Sequence, residues 1–256
     1  MRTPVLVPAL VLSLGLGASA QAQQVPFSQT VDAGAAPTVA IETTRGQVEV
    51  TGADVPRLEV AGTVVVRLGL NVPADALDLA RAVAKAPPVT VTGSQVRLSL
   101  PADERARQAV IVHWRVRVPR AAAVDIRTAS GEIRLSDVRG AARADTGSGA
   151  VSVIGATGGL TVASRSSAID LARLAGDVRV RSGSGSVRIA MSGPGAIDAE
   201  TRSSAIEIDG ASASLQARSG SGAIEVGGRP TADWQIETRS SQIRIEATGA
   251  PAFRQD

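Results

Sequence analysis

Val178-Arg179-Val180-Arg181-Ser182-Gly183-Ser184-Gly185-Ser186-Val187-Arg188-Ile189 consists of two alternating apolar and polar runs joined by a Ser/Gly turn. Period-two alternation puts the aliphatic side chains on one face and the arginines on the other, so the stretch reads strand, tight turn, strand. The pattern recurs in units that start at Val124, Ala142, Leu160, Val178, Ile197, Leu215 and Trp234, spaced by 18 or 19 residues. Position ten of the units reads Ile133, Val151, Ile169, Val187, Ile206, Ile224 and Ile243, and position twelve reads Leu135, Val153, Leu171, Ile189, Ile208, Val226 and Ile245. Positions one and three supply an opposing wall, with Ile126, Val162, Val180 and Ile236 among them. Such units cannot bury their apolar faces alone and must stack, with two short sheets facing each other about 10 Å apart.

Charge placement selects parallel stacking over an antiparallel meander. In a parallel stack each side chain meets its counterpart one unit on, about 4.8 Å away, where like charges repel. Position four runs Arg127, Asp145, Ala163, Arg181, Glu200, Arg218, Glu237, alternating in sign. Position six runs Ala129, Gly147, Arg165, Gly183, Arg202, Gly220, Arg239, so each arginine is set against a residue without a side chain. The fold class is therefore all-β, a parallel β-solenoid with 18–19-residue rungs, a right-handed coil favoured, and a superperiod of about two rungs. A hexapeptide left-handed helix requires an aliphatic at every sixth residue, and a calcium-binding nonapeptide coil requires an aspartate; Gly220-Ser221-Gly222-Ala223-Ile224-Glu225 has none at that place. Two hydroxyl columns, Thr128 to Thr238 and Ser130 to Ser240, read as turn residues that satisfy backbone groups. Arginines interrupt these rows, which argues against a flat array that orders water or ice.

At the N-terminus, Arg2 precedes an apolar run from Val5 to Leu16 and the small residues Ala18-Ser19-Ala20-Gln21-Ala22. That is the pattern of a secretory signal peptide, residues 1–22, with a mature chain starting near Gln23 and no transmembrane segment. The absence of cysteine excludes disulfides, zinc–thiolate sites and thiol nucleophiles. Two Phe, two Trp and no Tyr leave a core of small aliphatics. A net charge of +3, almost all basic residues being arginine, with few aromatics and an export signal, argues against nucleic acid as partner.

Residues 23–120 form a less regular β-rich part, 121–248 the regular repeats, and 249–256 a tail. Val39 to Val50 fits the rung template and predicts a first rung near the mature N-terminus; Leu58–Val66, Gln95–Leu100 and Ala109–Val118 read as strands. Leu77, Ala80, Val83 and Ala84 at helical spacing predict one short helix within Pro73–Ala86, covering an edge or end of the solenoid. An export signal, the Gly46-Gln47-Val48-Glu49-Val50 rung, a strand ending at Val118-Pro119 and tandem S-G-x-I/V-x-V/I rungs together resemble the bacterial adhesin-like β-strand-repeat family of unknown function. That family is related to the candidate auto-transporter adhesin head, or GIN, domain. The resemblance covers most of residues 30–248 and implies an envelope-associated β-solenoid, with no catalytic residues to carry over.

The search for chemistry points away from catalysis. His113 is the only histidine and reads as a strand residue; no G-x-S-x-G elbow, dense acidic cluster or metal-ligand constellation accompanies it. No catalytic, cofactor or metal residues are assigned. Three readings stand: an envelope binding or adhesive module, a passive scaffold, and a polysaccharide-active β-helix enzyme, of which the non-catalytic module is preferred because sugar-cleaving grooves need paired carboxylates and aromatic platforms. The candidate anion-binding face comprises Arg165, Arg181, Arg202, Arg218 and Arg239, with anionic envelope polysaccharide or another envelope protein as partner and a periplasmic or extracellular location.

Overall fold

A computed structural model of the protein describes residues 23–67 and 73–248. The expected signal peptide and the 249–256 tail lie outside the described residues. In chain order, the N-terminal part supplies β1 (Gln24–Val31), β2 (Thr38–Thr43), β3 (Val48–Ala53), β4 (Leu58–Val66), α1 (Ala76–Lys85), β5 (Val89–Thr92), β6 (Gln95–Leu98), α2 (Glu104–Ala109) and β7 (Val110–Pro119). The first four repeat units give β8 (Ala123–Thr128), β9 (Ile133–Ser136), β10 (Ala142–Thr146), β11 (Val151–Ile154), β12 (Leu160–Ser164), β13 (Ile169–Leu174), β14 (Val178–Ser182) and β15 (Val187–Met191). The last three give β16 (Ile197–Thr201), β17 (Ile206–Ala211), β18 (Leu215–Ser219), β19 (Ile224–Gly228), β20 (Trp234–Thr238) and β21 (Ile243–Ala247).

The molecule is a parallel β-solenoid. Even-numbered strands from β8 to β20 lie side by side in one sheet and odd-numbered strands from β9 to β21 in the other. The register pairs each residue with its counterpart one unit on, as in Val178↔Ile197, Arg181↔Glu200 and Ile206↔Ile224. Columns one, three, ten and twelve consequently point inward and are buried from β8 through β19. Each fully buried Val, Leu or Ile contributes roughly 1.5–3 kcal/mol, and from β8 through β19 the inward columns supply this without an aromatic. Burial ends at the last rung, where Ile243 and Ile245 are 43% and 39% exposed because no described coil lies beyond them. The second corner turns on a left-handed residue at position fourteen: Asp137, Gly155, Arg173 and Gly210 all have φ between 54° and 73°.

The N-terminal part is threaded differently from its sequence order. Strands β2 and β3 form the expected rung and pair in parallel with β8 and β9. They are not the end of the stack, since β6 and β7 make a further coil on their other side. The chain thus lays down β2–β3, leaves through β4, inserts β7 between β3 and β4, and resumes beyond β2–β3 at β8. Three strands then close the stack in antiparallel fashion: β4 on β7, β1 on β4, and β5 on β6.

The cover expected of one helix is accordingly shared. Helix α1 buries Ala76, Ala80 and Val83, but a helix cannot hydrogen-bond a strand edge, and the antiparallel strands do so. Pro26 in the outer strand β1 removes one ladder donor, which suits an edge. Across β1, β4 and β7, Gly62 lies between Phe27 and Trp114 in register, and the two rings meet edge to face at 5.4 Å. A second helix, α2, corrects the reading of a single one. Its six residues are too few to display a helical period; Asp103 caps it by accepting the Arg105 N–H at 2.8 Å, and Ala106 and Ala109 are buried.

Candidate functional site

The candidate surface is built on the first corner of each coil, positions five to nine. Five position-five hydroxyls are buried and accept the N–H of position eight: Gly131 to Thr128 at 2.8 Å, Gly149 to Thr146 at 3.0 Å, Ser167 to Ser164 at 3.1 Å, Gly185 to Ser182 at 3.0 Å and Gly222 to Ser219 at 2.7 Å; the buried Thr201 hydroxyl has no partner among the described residues, and Thr238 donates to the Gly222 carbonyl. These oxygens hold the turn and are not a ligand-facing array. Glycines alternate with arginine and serine here for a reason the sequence alone did not show. A Cβ on Gly183 or Gly220 would collide with the carbonyl of Arg165 or Arg202, and one on Gly185 or Gly222 with the carbonyl of Ser167 or Ser204. Close backbone contact between coils, rather than room for a guanidinium, sets the two-rung superperiod.

Flanking these corners, the outer columns form ion-pair ladders. Arg181 meets Glu200 at 3.3 Å and Arg218 meets Glu237 at 3.4 Å in position four. Position two adds Arg179–Asp198 at 3.0 Å, and the opposite sheet Arg188–Glu207 at 2.9 Å and Arg244–Glu225 at 3.8 Å. All are exposed, so each is worth about 0–1 kcal/mol and is screened by salt. Glu200→Arg would set a third like charge between Arg181 and Arg218. We expect a small drop in melting temperature at low salt that largely vanishes at high salt; an equally large drop in both would refute the exposed ladder.

These pairings divide the five arginines singled out from sequence. All five line one open groove of ≈ 1790 Å³ that runs along the first corners from Glu42, Thr43 and Thr44 to Arg239. Arg181 and Arg218 are engaged with glutamates. Arg165, Arg202 and Arg239 are exposed and, among the described residues, have no carboxylate within ion-pair distance. They recur on every second coil, about 9–10 Å apart at β-sheet spacing. The other edge of the same sheet carries a second groove of ≈ 880 Å³ lined by Asp125, Asp177, Asp198 and Asp233 against Arg143 and Arg179. Sequence reasoning overlooked this edge because position two is charge-balanced and the acidic excess comes from Asp177 and Asp233, which immediately precede the unit starts Val178 and Trp234.

A family model described as Toastrack DUF4097 matches residues 20–256. The chain belongs to this family. A solved structure of a candidate cell adhesion protein from Clostridium sporogenes is similar over 88% of this chain and 100% of that one, at 9% identity and a TM-score of 0.33. At that level the likeness says nothing about function. No curated protein matches the sequence.

In this Toastrack chain His113 lies in β7, opposite Thr63 of β4, and its Nδ1 accepts the Gln47 N–H at 3.2 Å. Burial pushes its pKa below the ordinary histidine value. The ring thus ties the β2–β3 turn to β7. Among the described residues no three His, Asp or Glu side chains stand together as a metal site, and no helix is long and apolar enough to cross a membrane.

Proposed function

We propose that the protein is an exported, non-catalytic binding module of the cell envelope, periplasmic or extracellular, whose first-corner groove engages a repeating anionic polymer. The observation that carries this reading is the row of Arg165, Arg202 and Arg239, exposed and without ion pairs among the described residues, at a regular two-coil interval along one groove. A guanidinium binds carboxylate or phosphate through two parallel hydrogen bonds, and a regular row matches a polymer whose charges repeat. Partnered arginines such as Arg181 supply positive surroundings but have already spent their strongest contact. The resemblance to adhesin-like repeats and GIN-type heads is in keeping with such surface binding.

A non-catalytic role accords with the carboxylates of the solenoid faces. Asp198, Glu200, Glu207, Glu225 and Glu237 each lie within ion-pair distance of an arginine, so these carboxylates are engaged in the ladders rather than set out as a facing pair.

The test is binding of the mature protein to anionic envelope polymer over a salt series, beside an Arg165→Gln/Arg202→Gln/Arg239→Gln variant. Wild type is expected to bind at low salt and weaken as salt rises, while the variant loses about tenfold or more in affinity. Equal binding by the two proteins, or none by wild type at low salt, would overturn the proposal.

A further inference from the structure

A smaller pocket of ≈ 200 Å³ adjoins the N-terminal end of the groove and shares Thr43, Thr44 and Leu100 with it. Three arginines from distant parts of the chain line it: Arg45 from the β2–β3 turn, Arg67 just after β4, and Arg107 in α2. No carboxylate is among its lining residues, and none of the three arginines forms an ion pair among the described residues. That departs from the surface around it, where Arg97, Arg105, Arg115 and Arg117 all meet acidic partners at 2.7–3.2 Å. One of the three is positioned by the backbone, as Arg67 is half-buried and its Nη1 donates to the Gln108 carbonyl at 2.9 Å. The lining also includes buried Trp114 and Val112, so the pocket combines three arginines with an apolar wall.

Cations gathered around a partly apolar pocket repel one another until an anion joins them, and the low polarity of the wall strengthens that attraction. We infer that this pocket is a binding site for a compact oxyanion of the phosphate-monoester class, a group small enough for the space and able to accept from more than one guanidinium. Thr44 is exposed and lines both the pocket and the groove. The inference does not rest on the polymer reading, because neither the residues nor the ligand size is that of the arginine row.

The test is calorimetric titration of the purified protein at low ionic strength with inorganic phosphate, glycerol 1-phosphate and glucose 1-phosphate, with acetate as the singly charged comparison. Saturable one-to-one binding of phosphate and at least one ester, with acetate much weaker, is expected. Arg107→Gln and Arg45→Gln, both at exposed positions, should each weaken binding about tenfold or more, as should Arg67→Gln if it folds. The Arg165→Gln/Arg202→Gln/Arg239→Gln variant should bind small phosphates as wild type does, which separates failure here from failure of the polymer proposal. A preference for inorganic phosphate over both esters would assign the site to the free ion, and the reverse to a terminal phosphate on a larger molecule. Absence of saturable phosphate binding, or binding unaffected by Arg107→Gln and Arg45→Gln, would overturn the inference.

Discussion

Ile206→Asp is expected to abolish the cooperative thermal transition or lower its midpoint by about 10 °C or more. Ile206 is 1% exposed and lies in register between Val187 and Ile224 in the column that forms one wall of the core. A carboxylate there has no polar partner, so it must be buried charged, be forced neutral or open the coil to water, each at a cost of several kcal/mol. Because each coil contacts only its neighbours, the damage spreads to the coils on either side. Circular-dichroism melts should show it beside Ser203→Asp, which changes an exposed corner residue and should melt within a few degrees of wild type. Equal melting of Ile206→Asp and wild type would contradict the register.

The second large effect is steric. In Gly185→Ala the added methyl group would occupy the space of the Ser167 carbonyl in the coil before it. The obstacle is the backbone of the corner between β12 and β13 rather than a flexible side chain, so relief requires prising two coils apart at the corner where the Gly185 N–H bonds Ser182. Overpacking against such a wall costs about 1–3 kcal/mol, with the upper end expected here because backbone cannot rotate away. Gly159→Ala provides the contrast, because a Cβ there meets nothing within 4 Å, and the substitution should be neutral or slightly stabilising through the unfolded chain. Chemical denaturation of the two variants measures the difference; if both lose stability equally, close coil contact is not the reason for the glycine pattern.

The seven repeat units from Val124 to Ile245, their inward columns and the sign alternation of position four were legible because they are local or recur at a fixed interval. A parallel stack turns such an interval into a contact, so Arg181 and Glu200, 19 residues apart, become neighbours by arithmetic. The same arithmetic exposed Arg165, Arg202 and Arg239 as a row. It did not tell which arginines were already partnered, since Arg143 turns to Asp145 in its own strand at 2.8 Å whereas Arg181 turns to the next coil. That choice depends on rotamers and neighbouring charges that a column of letters does not contain.

By itself, then, the sequence determined a parallel β-solenoid, its rung length, its core columns and the faces on which its charges stand, because alternation and repetition translate directly into which side chains point inward and which stack. Only the tertiary structure decided how the irregular N-terminal part joins that stack. Nothing periodic announces that β7 slides between β3 and β4, or that Arg45, Arg67 and Arg107 come to surround one pocket. Those placements arise from pairings between segments tens of residues apart, selected by the need to end an open parallel ladder with antiparallel strands and to bury Trp114 beneath them.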